Sequence, residues 1–105
     1  MNRLFISPAA EKDLLEIKQY ISDELVNPVS AIKIISQITK RIRDLIDFPE
    51  TGVLLSTKIG FDTDYRFIVS SSYLIFYRFV EKSIYVDRVL YAKRDYIRIL
   101  FGNIE

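Results

Sequence analysis

A chain of 105 residues fits one domain, spanning 1–105, and leaves little room for a second. Half of it is hydrophobic, and 15 Lys+Arg against 14 Asp+Glu leave a net charge of +1; a core can form, and no global field steers the chain onto nucleic acid. Cys, His and Trp are absent, which excludes disulfides, thiolate and imidazole chemistry and the usual zinc ligands. Any reaction must use Lys, Arg, Tyr, Ser or carboxylates, and no cofactor is expected.

The opening segment Asn2 to Ser7 alternates Leu4 and Ile6 on one side, as a short strand does. Ser7-Pro8 is a cap-then-proline signal, with Glu11 and Asp13 near the positive end of the helix dipole. Ala10, Leu14, Ile17, Ile21 and Leu25 then form one apolar stripe. Asn27-Pro28 repeats the signal and opens a second helix with the stripe Ala31, Ile35, Ile38, Ile42 and Leu45, ended by Pro49 and Gly52. So short a junction predicts an antiparallel helical hairpin with both stripes facing one layer.

The period then changes. Asp64 to Ser70, Ser72 to Val80 and Ser83 to Ala92 are rich in Tyr, Phe, Ile and Val and read as three consecutive strands. Arg94 to Phe101 forms a short closing helix, with Gly102 just past its end. The expected fold class is α+β: an N-terminal strand, a two-helix hairpin on a curved, mostly antiparallel four-stranded sheet, and a C-terminal helix. The longest uncharged run, Phe67 to Tyr77, falls short of the ~20 residues of a membrane span, and the early Glu11 and Lys12 leave no signal-peptide core. A soluble, cytoplasmic protein is expected.

The strands interleave Arg66, Arg78, Arg88, Lys93, Arg94 and Arg98 with tyrosines. One reading is a concave surface for phosphates, carboxylates or stacked bases. The other is an ordinary wet sheet face. Alternation places Arg88 with Ile84, Val86 and Leu90, which suggests a partly buried cation paired with Asp64 or Glu81. Lys93-Arg94-Asp95-Tyr96 is either a cation pair at the sheet rim or a helix cap with solvated cations. The Lys40-Arg41 and Arg43 run reads as a solvated face.

In order, the pieces resemble the RelE/ParE superfamily of bacterial type II toxin–antitoxin toxins. The resemblance rests on Pro8-Ala9-Ala10-Glu11-Lys12-Asp13-Leu14, Asn27-Pro28, Leu45-Ile46-Asp47-Phe48-Pro49-Glu50-Thr51-Gly52, Tyr65-Arg66, Tyr73 to Arg78, and Arg88-Val89-Leu90-Tyr91 with Lys93-Arg94-Asp95-Tyr96. It implies a cognate antitoxin whose tail folds over the toxin, as a heterotetramer or beside a toxin homodimer. The branch resembled more closely is ParE, whose members bind DNA gyrase and block replication. The Asn-Pro junction and the Arg-Val-Leu-Tyr-Ala-Lys-Arg-Asp run carry that preference, and Leu74 stands where ribonuclease members carry a catalytic Arg. The resemblance implies target binding by Arg66, Lys93, Arg94, Tyr96 and Arg98. The alternative is a RelE-like, ribosome-dependent endoribonuclease acting on mRNA through Arg66, Arg94 and Tyr96, and a second is a non-toxic module that only binds antitoxin.

Overall fold

A computed structural model describes residues 1–102 of the chain. The elements follow as β1 (Arg3–Ile6), α1 (Pro8–Gln19), a π-helical turn (Tyr20–Glu24), α2 (Pro28–Asp44), β2 (Val53–Leu54), α3 (Ser56–Ile59), β3 (Arg66–Ser70), β4 (Tyr73–Val80), β5 (Ser83–Tyr91) and α4 (Tyr96–Phe101). The helix starts obey their capping chemistry: the Ala10 N–H donates to Ser7 Oγ at 2.9 Å and the Ser30 N–H to Asn27 Oδ1 at 3.2 Å. Pro8 and Pro28 take the first helical positions, where an N–H has no helical partner. The final helix begins at Tyr96 rather than Arg94, because Asp95 is its cap and accepts from the Arg98 N–H at 3.3 Å.

The sheet has five strands rather than the expected four, in the order β1-β5-β4-β3-β2. β1 runs parallel to β5, and every other pair is antiparallel. The extra strand is β2, an edge that pairs Val53 with Phe67 and Leu54 with Arg66. Two residues carry too little alternation to announce a strand. The chain before it is held by buried Tyr77, whose hydroxyl donates to Pro49 O at 2.8 Å and accepts from the Gly52 N–H at 2.9 Å.

Both helical stripes pack on one face of the sheet, as expected, with Ala10, Ile17, Ile21, Ala31, Ile38 and Ile42 all buried there. Leu25 is the exception, at 56% exposure. The π-helical turn closes with the Leu25 N–H donating to Tyr20 O, five residues back, so four-residue spacing no longer returns to the same face. The opposite face of the sheet is not a wet Arg/Tyr surface. Leu55, Phe67, Phe76 and Leu90 form a second buried cluster there, covered by Ile59 of α3 and by Ile99, Leu100 and Phe101 of α4.

β4 and β5 stay in register except between Phe76 and Tyr77, whose partners are Arg88 and Val86. Asp87 is therefore the extra residue of a β-bulge. Ile84 and Val86 lie in the helix-side core before it; after it Val89 lies there, and Leu90 joins the opposite cluster. Two backbone groups of the bulged strand bond to α1 and its cap. Ser7 Oγ donates to Asp87 O at 2.7 Å, and the Val89 N–H donates to Asp13 Oδ2 at 2.9 Å.

Candidate binding groove

Helix α1 places Asp13 three residues after Ala10 and four before Ile17, on its buried face. An isolated carboxylate there would be costly, and Asp13, 4% exposed, is fully engaged. Arg88 donates to it through Nε and Nη2, each at 2.8 Å, in addition to the bond from Val89. The partner of Arg88 is thus Asp13, not Asp64 or Glu81. The bidentate bond, ahead of the opposing effect of burial, raises the Arg88 pKa further. Asp87 is taken by Arg78, Nε to Oδ2 at 2.9 Å, with the Arg78 guanidinium over the rings of Tyr65 and Tyr85.

Beside the Asp13–Arg88 pair runs a groove of about 730 Å³. Ile17 and Ile21 of the α1 segment, Ile34 of α2, Tyr73 of β4 and Val89 of β5 give it an apolar floor. Tyr20 and Tyr91 stand exposed at its sides, and Arg94 and Glu16 mark its rim. The rings of Tyr73 and Tyr91, directly opposite each other across β4 and β5, meet edge-on at 6.0 Å. Burial first, then Tyr20 and Tyr91, raises the pKa of Tyr73. The volume and lining suit recognition of an apolar segment with a few polar fixing points.

The five residues singled out in the sequence do not gather in one place. Arg94 is exposed and lies on the groove rim, with exposed Lys93 beside it in the turn after β5. Arg98 is exposed on α4, its Nε 3.7 Å from Asp95 Oδ2. Tyr96 packs against the second cluster on the other face of the sheet, its ring 5.3 Å from that of Phe76. Arg66 braces the loop before β2, donating from Nη1 to Gly52 O at 3.0 Å and Glu50 O at 3.3 Å. Arg66 pairs with Tyr77 while Tyr91 pairs with Tyr73, four residues along β4, so Arg66 sits about 14 Å along the strand direction from the Tyr91 end.

Sequence reasoning missed Asp13 as a buried ligand of β5, although its place on the stripe between Ala10 and Ile17 was a readable signal. The resemblance implied a hydrophobic groove along the helices or the sheet edge without choosing between them; its residues come from α1, the π-helical turn, α2, β4 and β5, which sequence spacing does not bring together. Tyr91 and Val89 enter it only because of the bulge.

The sequence matches the family described as ParE toxin of type II toxin-antitoxin system, parDE, over residues 4–96. The chain belongs to this family. Its fold is similar to that of a chain of the chromosomal ParDE TA system from P. aeruginosa, with a TM-score of 0.74 at 19% identity, covering 89% of this chain and 98% of that one. No curated protein matches the sequence. As a ParE-family member the chain is the toxin of a type II toxin–antitoxin system, and no helix among the described residues is long and apolar enough to cross a membrane.

Proposed function

We propose that this ParE-family toxin inhibits DNA gyrase in the cytoplasm by binding rather than by cleaving a bond, and that a cognate antitoxin neutralises it by lying over its surface. The observation that carries the binding reading is the dispersal of Arg66, Arg94 and Tyr96. Phosphoryl chemistry needs its proton-transfer group and charge-stabilising donors within about 3 Å of the same few substrate atoms. Here Arg66 is bonded to loop carbonyls, Tyr96 packs on Phe76, and Arg94 borders a groove on the helix side of the sheet. The tyrosines Tyr65, Tyr73 and Tyr77 all have raised pKa values, with burial as the first cause, opposite to what a general base requires.

On this reading Lys93, Arg94 and Arg98 present exposed cations to the target, and Arg66 and Tyr96 hold the segments around them. The test adds the purified, antitoxin-free toxin to gyrase and supercoiled plasmid, with translating ribosomes and end-labelled message in parallel. Trapped, protein-linked DNA breaks with intact message are expected. Cleaved message with unaffected gyrase would overturn the proposal. Arg94→Glu should abolish break trapping while the circular dichroism spectrum is unchanged.

A further inference from the structure

The sheet face opposite the helical hairpin is covered over only part of its width. There α3 and α4 lie on Leu55, Phe67, Phe76 and Leu90. Toward β1 the same face carries a different set of side chains. Leu4, Ile6, Ile84 and Val86 belong to the helix-side core, so alternation puts Arg3, Phe5 and Tyr85 on the other face, with Arg78 beside them between Tyr77 and Phe79.

These side chains form one continuous stack. Phe5 and Tyr85 are direct partners across β1 and β5, their rings 5.3 Å apart and 14° from parallel. Arg3 Cζ stands 5.3 Å from the Phe5 ring, and Arg78 Cζ stands 5.4 Å from Tyr85 and 5.9 Å from Tyr65. The inner end is closed, because Tyr65 packs against the second cluster and Asp87 neutralises Arg78. The outer end is open: β1 is the sheet edge, Arg3 is exposed and Phe5 is 40% exposed. A stack of aromatic and guanidinium planes that stops at an open edge can accept one more planar group.

The turn beside this end supplies a second, independent observation. Its two residues, Glu81 and Lys82, have φ +49° and +62°, conformations that Asn-Gly adopts at least cost. Two exposed charged residues there carry strain that the fold does not need. The Arg3 N–H donates to Lys82 O at 2.8 Å, which ties the turn to β1. No carboxylate forms an ion pair with Arg3 or Lys82 among the described residues, so the open end is cationic.

An unpaired nucleobase supplies the missing plane, and its phosphates supply the anion. A base in a duplex is already stacked on both sides. We propose that the open end of this stack binds single-stranded DNA, with a base on Phe5 and Arg3 and the adjoining phosphates on Arg3 and Lys82. The choice of DNA over RNA rests on the function proposed above, in which the toxin meets broken DNA on gyrase.

The test is calorimetric titration of the purified toxin with unlabelled oligothymidylate of about eight nucleotides, a strand that does not pair with itself. Saturable binding is expected, with an abasic strand of equal length and a duplex of about 20 base pairs each at least about tenfold weaker. Phe5→Ala should weaken the intact strand about fivefold or more and leave the abasic strand unchanged, while Phe5→Trp keeps a ring and keeps the affinity. Arg3→Gln should lower the slope of log affinity against log salt by about 0.7, the share of one phosphate contact. Glu81→Asn/Lys82→Gly should raise the melting temperature by about 4 °C or more and lower that slope by a similar ~0.7. No saturable binding, equal affinity for the abasic strand or the duplex, or an inert Phe5→Ala would overturn the proposal. So would tighter binding of oligouridylate or of a peptide alternating Asp with Trp. In the gyrase assay Phe5→Ala should trap about fivefold fewer breaks or less, and undiminished trapping refutes use of this site on gyrase. A toxin that binds the oligonucleotide but traps no breaks refutes the gyrase reading alone, since the titration involves no gyrase.

Discussion

Replacing Asp13 by Ala tests the join between the helical layer and the sheet. The substitution removes three acceptor bonds, from Arg88 Nε and Nη2 and from the Val89 N–H, at a residue only 4% exposed. A buried N–H left without an acceptor costs about 1–3 kcal/mol. Breaking a buried ion pair by deleting one member costs about 3–5 kcal/mol, but the Arg88 side chain is 27% exposed and recovers some hydration, which places this pair at the low end. The expected total is about 4–6 kcal/mol, against a stability of about 5–15 kcal/mol for a domain of this kind. Since about 1 kcal/mol moves the midpoint of a domain this size by roughly 4–8 °C, the melting temperature should fall by about 16 °C or more.

Urea denaturation followed by circular dichroism measures the loss directly. A loss below about 1 kcal/mol at unchanged m-value would refute the argument that Asp13 carries the junction. Asp13→Asn, which keeps the shape and one acceptor, should lose less than Asp13→Ala. The pair Asp13→Leu with Arg88→Met removes both charges together and should recover part of the deficit, since the uncompensated cation is the larger penalty.

Gly52→Ala would place a Cβ 2.5 Å from the Tyr77 hydroxyl and 2.7 Å from its ring, and should cost about 1–3 kcal/mol in the same denaturation assay. Tyr77→Phe should cost a similar ~1–3 kcal/mol, because Pro49 O and the Gly52 N–H both lose their partner. Burial and the Asp87 carboxylate push Tyr65 up to about 12 when folded, from near 10 unfolded. The resulting stabilisation is complete below about pH 10 and is lost as pH rises toward 12. Melting temperatures should therefore drop from pH 9 to 11.5, and less steeply in Tyr65→Phe; an equal slope in that variant contradicts the assignment.

Much of the fold is legible in the sequence because its signals are local. Ser7-Pro8 and Asn27-Pro28 give both helix starts, and the stripes from Ala10 to Ile21 and from Ala31 to Leu45 give the buried faces. What escapes is set by tertiary contacts. β2 is a strand only because Phe67 and Arg66 lie beside it, and Leu25 leaves the core because the turn before it has π-helical bonding. The run Leu74-Ile75-Phe76-Tyr77 offered a clue that both faces of the sheet are covered, since a strand with one wet face alternates more strictly. For the site, the sequence supplied Arg94 but not its setting. Arg66 and Tyr96 share the residue types expected of a phosphate site, yet their neighbours here are loop carbonyls and an aromatic cluster.

The bulge at Asp87 connects these two levels. With strict alternation beyond Val86, positions 88 and 90 would face the helices, and Val89 and Tyr91 would face the opposite side. One extra residue sends Leu90 to the opposite cluster, and Val89 joins the groove floor while Tyr91 meets Tyr73 at its side; Arg88, at the bulge itself, still reaches Asp13. Beyond the Ile6–Val86 pair β5 has no strand on its β1 side, and α1 with its cap supplies partners there through Ser7 on Asp87 O and Asp13 on the Val89 N–H. The same helix contributes Ile17 and, in the turn that follows it, Ile21 to the groove floor. Helix α1 thus forms one wall of the groove and also holds β5 in the register that forms the other. Asp13 contacts no partner in this account, and its removal should still reach the groove, because the orientation of Val89 and Tyr91 depends on it.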